Sequence, residues 1–571
     1  MGRLLFALLI SGLCSTAVWA QFRAGIQGTV TDGQGAAIVG ATIKLTSKET
    51  NRTQEIKSGD EGFYRFDHLA PGAYSMTAEK SGFKKKLLEN VQVEAEETQG
   101  VNVQLDAGAV EDTVTISAEA TEQRHTENPN IDGSLSTREI RRLPQIGRDP
   151  LELVRLAPGV FGLGARSGNG GPEGLPNSVG PGASNDQIFA TENRPAISAA
   201  GQRVEANNIQ IDGVTAMSQA WGGAAVVTPN QESVKEVRVL ANNYSAEFGR
   251  NTGAQVLLVS ENGTNDIHGS FFFKRNTPGL NSEQNFVQAG TAIREGPQRV
   301  NQFLSQWGGS VGGPVYFPLF GLGGKPVWKG KDKLFFFFSY ETVRRSSTRL
   351  ESQWIETPDF VNLIRTQRPN SIANRILSFP GMTTSRVANV LNRGCDGIAG
   401  PCQALSGGSD IGSPGGGLDG IPDVRFANLL IPDKTTAQQF NPRIDYQVTK
   451  NDLVAFSMYF VPNKRDFNDS WANRGRPGLD FNSSRRNTVG TLLWTRTISP
   501  TMVNEARFNV TRWYFNEAQS NPNIGWGIPQ VNICCNPDVL FGTHVGPGVF
   551  YQTTYNLRDT VSKVVNAHAL K

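Results

Sequence analysis

The chain is predicted to be mainly β: an N-terminal sandwich, an α+β segment, and the first part of an antiparallel barrel that crosses a membrane with its strands. Three observations carry that prediction. The 571 residues include 62 Gly and 9% aromatics but only 6 Met and 5 Cys, a composition of turns and strands rather than of helical bundles. After position 20 no stretch of about 18 apolar residues occurs, so no helix is expected to span a bilayer. From His268 onward, segments of roughly 9 to 11 residues alternate apolar with polar positions, the weak signature of strands with lipid on one side and a lumen on the other.

Length and charge bound the rest. A single core stops growing near about 250 to 300 residues, so two or more domains are expected. The 55 basic and 52 acidic residues nearly cancel, and the densest cluster, "KSGFKKK" at Lys80 to Lys86, reads as a solvated strand edge. Nucleic acid is therefore not expected as a partner.

Residues 1–20, "MGRLLFALLISGLCSTAVWA", place Arg3 before an apolar run and end on small residues, with Val18 and Ala20 suited to signal-peptidase cleavage after Ala20. A retained N-terminal anchor is the alternative. Cys14 follows Leu13, too large for the usual lipoprotein signal, and leaves with the peptide. An exported chain enters an oxidising compartment, so disulfides are favoured over metal or redox chemistry for the remaining cysteines. Cys395 and Cys402 are the natural pair; adjacent Cys534 and Cys535 need a strained ring or partners elsewhere.

Residues 21–106 hold seven or so short alternating strands separated by turn residues, which predicts a compact sandwich. The stretches "GTVTDGQGAAIVGATIKL", "DEGFYRF" and "LAPGAYSMTAEKSGF" resemble the carboxypeptidase-regulatory-like, transthyretin-type sandwich that precedes many outer-membrane receptors. None of the five histidines opens an H-x-x-E or H-E-x-x-H motif, so the module is expected to be a spacer or binding domain with no metal and no cofactor.

Residues 107–265 begin with an extended β-branched run that includes "DTVTI", Asp112, Thr113, Val114, Thr115 and Ile116. Two helix starts follow: Ser136 with Glu139, and Asp149 with Pro150 and Glu152, each at capping-box spacing. The glycine-rich stretch from Ala157 to Asn185 reads as a mobile loop; "GLGARSG" lacks the Lys-Ser/Thr of a phosphate loop. Next come "NNIQIDGV", "KEVRVL", "EFGRNTGA" and "SENGTN", with Asp212, Gly213, Phe248 and Gly249 in turns and Arg250 beside them. These, together with "HGSFFFKRN" and "QWGGSVGGPV", resemble the plug domain and barrel entrance of TonB-dependent outer-membrane receptors, closest to the Oar-like branch. Asp212, Gly213, Phe248 and Gly249 are expected to be structural.

Residues 266–571 are predicted to be the N-terminal portion of that barrel. Eight strands are expected, near 268–276, 302–315, 333–346, 440–449, 452–462, 486–498, 502–516 and 549–565, with 347–439 as a long extracellular excursion. In "KLFFFFSYE", alternation sends Phe336, Phe338 and Tyr340 toward lipid and Phe335, Phe337, Ser339 and Glu341 toward the lumen. A buried strand of a soluble sandwich is the alternative account of such a run. The resemblance implies about 22 strands around the plug, so the sequence is expected to be a fragment of a longer protein.

The resemblance implies a receptor in the cell outer membrane that passes an extracellular ligand (an iron chelate, oligosaccharide or peptide) inward on energy relayed by a TonB-type periplasmic protein. The candidate contact for that partner is Asp112–Ile116, whose rival reading is a plain linker strand. The alternative function is a secreted or surface-attached carbohydrate-binding adhesin without transport. An enzyme is not expected: "GGSVG" at Gly308–Gly312 matches G-x-S-x-G, but "GPVYFP" follows where a nucleophile elbow needs a helix.

Overall fold

The computed structural model describes residues 24–108, 113–117, 130–143, 148–164, 196–218, 224–245, 248–249, 251–281, 302–318, 327–391, 393–412, 417–467, 475–519, 531–533, 539–541, 548–565 and 568–571. The signal-like segment, Arg250, Cys534 and Cys535 lie outside them, as does most of the glycine-rich stretch.

The sandwich is built from β1 (Ala24–Asp32), β2 (Thr42–Ser47), β3 (Thr53–Lys57), β4 (Phe63–Leu69), β5 (Gly72–Glu79), β6 (Lys85–Val93), β7 (Thr98–Gly100) and β8 (Val103–Leu105). One sheet runs β4-β1-β7 with β8 also on β1. The other runs β3-β2-β5-β6, and a further strand, β9 (Thr113–Ser117), is added parallel to β6 from Lys85↔Thr113 to Glu89↔Ser117. Period-2 alternation sends Ile26, Ile43, Leu45, Tyr64, Phe66 and Met76 into a common core.

A second unit is centred on a sheet of β10 (Ile131–Ser136), then, after helix α1 (Thr137–Arg142) and a small β11 (Val160–Gly164) and β12 (Ala196–Ala199) hairpin, β13 (Asn208–Ile211), β14 (Val214–Thr215), β15 (Val234–Asn242) and β16 (Gln255–Ser260). Its order is β10-β15-β16-β13-β14, with β13 and β16 parallel. Ser136 starts α1, where its backbone N–H and hydroxyl both donate to the Glu139 carboxylate. The second expected helix is a 3-10 turn over Pro150–Leu156, capped by the Asp149 carboxylate accepting from Leu151 N.

The third unit is a curved antiparallel sheet whose long strands are β17 (His268–Asn276), β18 (Gln302–Pro314), and, beyond the β19 (Tyr316–Pro318) and β20 (Val327–Lys329) hairpin, β21 (Leu334–Glu356). An excursion follows with α2 (Pro358–Gln367), α3 (Ile372–Leu377), β22 (Val387–Leu391), β23 (Cys402–Leu405) and β24 (Gly408–Ile411). The wall resumes with β25 (Val424–Gln447), β26 (Asp452–Phe467), β27 (Phe481–Ser499), β28 (Met502–Gln519) and, past the short β29 (Val531–Ile533) and β30 (Val539–Phe541), β31 (Gly548–Val565) and β32 (His568–Leu570). Neighbours pair in the order β17-β18-β21-β25-β26-β27-β28-β31-β32.

All eight expected wall strands are present, but two are far longer than expected. β21 and β25 pair without interruption from Leu334↔Tyr446 to Glu356↔Val424, so the excursion shrinks from 347–439 to 357–423. The extra length is stabilised by packing of the excursion onto it, where Trp354, Val361, Ile364, Leu377 and Met382 form a separate apolar core, and by Arg476 of the β26–β27 connection, which reaches Glu356 with two hydrogen bonds of 2.8 and 2.7 Å.

The phenylalanine run alternates as expected. Phe335 and Phe337 are each 3% exposed and Ser339 and Glu341 fully buried, whereas Phe338 on the outer face is 38% exposed. On that outer face Trp307, Tyr340, Phe440 and Phe460 form a row across four adjacent strands, with ring centroids 5.3, 5.0 and 6.2 Å apart. Beyond it the outward residues turn polar, Thr342 and Arg344 on β21 and Gln438, Thr436 and Lys434 on β25. An aromatic row at such a change of polarity is the girdle of a membrane barrel.

Candidate functional site

The sheet of the second unit lies against the inner face of the wall, and the contact is made by side chains of one reaching backbone of the other. Gln439 Nε2 donates to Thr228 O and Asn487 Nδ2 to Val226 O, each at 2.8 Å. Arg443, deep in the wall, donates to Ser260 O at 2.9 Å and Ser260 Oγ at 2.7 Å. Arg148 pairs with Glu232 at 2.7 Å while its guanidinium stacks 3.5 Å over the Phe272 ring. Polar lumen residues thus hold the second unit in register, beside an apolar contact in which Leu304, Val343, Val461 and Val489 of the wall join its core.

Asp212 and Gly213 sit at the centre of this contact. Both have positive φ, 50° and 72°, closing the β13–β14 turn. The Asp212 carboxylate accepts from Ser260 N at 2.9 Å, from Ser260 Oγ, and from Ser457 Oγ of the wall at 2.9 Å. A Cβ on Gly213 would lie 1.7 Å from Arg507 Nη1, so the turn is pressed against the wall. Phe248 meets Tyr244 edge-on at 6.0 Å, and Tyr244 Oη donates to Asn251 O and Gly253 O. Gly249 is exposed and accepts from Asn251 N at 2.9 Å.

At one end of the wall the connections are short, as at Val448–Asn451 and Pro500–Thr501; at the other stands the excursion 357–423. Short turns face the periplasm and long loops the exterior in outer-membrane barrels. The sandwich lies across the short-turn end. Glu49 pairs with Lys235 at 2.7 Å, Asn51 Nδ2 donates to Asp332 at 3.1 Å, and Asn265 N donates to Glu49 O at 2.9 Å. Arg238 of β15, only 1% exposed, meets Glu97 at 2.8 Å, Glu94 at 3.5 Å and Asp132, and donates to Ala95 O.

Burial, the largest influence, pushes the Glu236 carboxyl up to about 7, against the opposing pull of the Ala95 N–H and Arg238. Burial also raises Glu49, but the Lys235 ammonium and the Asn262 amide outweigh it and hold that carboxyl below its ordinary range. Sequence reading missed this seat altogether. Glu49, Glu94 and Glu97 look like ordinary surface charges, and their partners lie more than a hundred positions away.

The partner segment read from sequence is placed in part: Thr113–Ser117 is β9 on the edge of the sandwich, and Asp112 lies outside the described residues. Cys395 and Cys402 are joined by a disulfide in the excursion. Ser310 of the G-x-S-x-G match is in mid-strand, paired to β17 and β21, and so has no elbow geometry. Among the described residues no group of three or more His, Cys, Asp or Glu is placed to hold a metal ion.

Comparison with known proteins accords with this architecture. Residues 25–106 match the carboxypeptidase regulatory-like domain. The TonB-dependent transporter Oar of Myxococcus xanthus is 28% identical over 370 residues, covering 64% of this chain but 31% of its own length, so the chain spans about a third of that relative. Among solved structures, the outer membrane transporter YddB of Escherichia coli aligns over 76% of this chain and 46% of its own at 11% identity and a TM-score of 0.42. A ferric enterobactin receptor mutant from Pseudomonas aeruginosa gives the same coverage at 10% identity and a TM-score of 0.38. Residues 259–571, more than half of the chain, match the family described as outer membrane beta barrel domain, and the chain belongs to that family of the outer membrane.

Proposed function

We propose that the protein is a TonB-dependent transporter that captures a ligand at the cell surface and releases it to the periplasm. In this reading residues 1–20 are the signal peptide, 21–106 the sandwich, 107–265 the plug with its partner segment, and 266–571 the wall. The observation that carries it is an enclosed unit held to a membrane wall by polar contacts, Asp212 to Ser457 and Arg443 to Ser260 among them. Such contacts exchange for water at modest cost, so a pull from the periplasm meets its main resistance at the apolar residues the plug shares with the wall, Leu304, Val343 and Val461 among them. Energy reaches the outer membrane mechanically, and the extended segment 113–117 is of the kind that adds as a strand to a partner sheet. The ligand class, an iron chelate, oligosaccharide or peptide, is taken up at the end bearing the excursion. The reading assigns no catalytic step.

The test is growth or uptake of labelled candidate ligands in cells carrying or lacking the receptor gene, each with and without TonB. Uptake lost in either deletion supports the transporter. Surface binding that survives TonB deletion, with no uptake in any strain, supports an adhesin instead.

A further inference from the structure

We propose that the sandwich is a seated cover on the periplasmic mouth, held by two ion-pair sockets on the plug sheet, and that it unseats to let cargo leave the lumen. The proposal rests on the transporter reading above and adds a second gate to it. The sandwich touches both plug and wall. Its Glu49 fills the Lys235 socket and its Glu94 and Glu97 the Arg238 socket, while His68 and Ser562 meet across the sandwich–wall contact at 3.3 Å.

The seat has the chemistry of a joint that opens. Its shared apolar cluster is small, Ala95 of the sandwich with Val259 of the plug and Ala455 and Leu493 of the wall. Among the described residues its other contacts are hydrogen bonds and ion pairs, those of Glu49, Asn51, Glu94 and Glu97 among them, and polar interfaces between units of one chain are the ones that come apart. Below the seat is a small cavity of about 70 Å³, lined by Arg52 and Tyr74 from the sandwich, Lys235 and Asn262 from the plug, and Arg443 and Phe335 from the wall. It lies between the lumen and the periplasm, so its roof is the sandwich.

The sandwich also stands first in the line of force. β9 is hydrogen-bonded to β6 over five residue pairs, and the chain enters the plug sheet only at β10. A partner that takes hold of β9 loads the sandwich sheet before the plug. Lifting the cover is then the first step of the pull and plug displacement the second.

The experiment places a reporter cysteine at Ala455, 4% exposed under the seat, in a background with Cys534→Ser and Cys535→Ser. A charged maleimide small enough to enter the periplasm is applied, and label at position 455 is read by peptide mass spectrometry. In isolated outer membranes the parent labels slowly, and Glu49→Ala with Glu97→Gln labels about tenfold faster, the factor given by 1.4 kcal/mol of lost seating. Both changes are on the sandwich side and leave the plug intact. As a second variant, Glu49→Cys with Asn265→Cys tethers the seat, because their backbone hydrogen bond brings the Cα atoms within roughly the 4.4–6.8 Å a disulfide spans.

Slow labelling of the oxidised tether and fast labelling of the socket variant support the cover. Equal labelling of parent, socket variant and tether overturns it. In whole cells, faster labelling of the parent with TonB than without supports energised unseating. If TonB makes no difference while the socket variant still opens, the cover stands and energised release, with the transporter reading beneath it, is overturned.

Discussion

Glu236 shows how one buried group sets the behaviour of an interface. It is 6% exposed, takes the Ala95 N–H on both carboxylate oxygens, and is faced by Arg238 and Lys235 from its own strand and by Glu94 of the sandwich, while Arg238 also holds Glu97 of the sandwich and Asp132 of β10. Burial raises its pKa to about 7, so the seated form favours the neutral acid, whereas the unseated, hydrated carboxyl returns to its ordinary range near 4.5. The sign follows from linkage: seating gains most below the unseated value, weakens as pH rises from about 4.5 to 7, and levels off above. The span is at most about 3 kcal/mol, at 1.36 kcal/mol per pKa unit. Glu49 acts oppositely, since its depressed pKa removes stability as pH falls through that lower value. Seating is expected to be strongest near pH 5, and Glu236→Gln to flatten the loss between pH 5 and 8. The rate of labelling at the position 455 reporter across that range measures it, and an unchanged slope in Glu236→Gln refutes the assignment.

At the scale of single elements, the wall strands were legible because lipid imposes a period that nothing else along the strand can blur. Phe456 and Phe508 face out while Ser457, Arg507 and Asn509 face in, as their spacing requires. The ends of β21 and β25 were not legible, because beyond the membrane the outward positions become Arg344, Ser346 and Thr348, which read equally well as loop. Of the candidate site, the Asp212–Gly213 turn was visible as a turn, but its grip on Ser457 and Arg507 depends on contacts hundreds of positions apart in sequence. The aromatic row sharpens where the lipid ends. Phe338→Arg puts a charge on the lipid side of the row and is expected to destabilise the inserted wall by about 2–4 kcal/mol, whereas Gln438→Arg, beyond it, costs about 0–1 kcal/mol. Urea unfolding in lipid vesicles, followed by tryptophan emission, separates the two. Equal costs place the boundary elsewhere.

For the whole molecule, what matters is which cores are shared and which are closed. The plug core includes Leu304, Val343, Ala437, Tyr459, Val461 and Val489 of the wall, so the plug sheet completes its burial only inside the barrel. The sandwich core closes on itself: all its buried members, from Ala24 to Leu105, come from β1–β8 and their connections. An element that buries its own apolar faces folds without its neighbours. Residues 24–108 expressed alone are therefore expected to unfold cooperatively, with an enthalpy of about 60 kcal/mol at the midpoint, given ~0.7 kcal/mol per residue. Extension to residue 117 adds β9 along one edge of a sheet whose core β1–β8 already close, so the midpoint is expected to shift little. Calorimetry on the two lengths checks both statements. A non-cooperative melt of the shorter piece would mean that the sandwich depends on its seat for folding, and a cover that cannot stand alone could not be lifted intact.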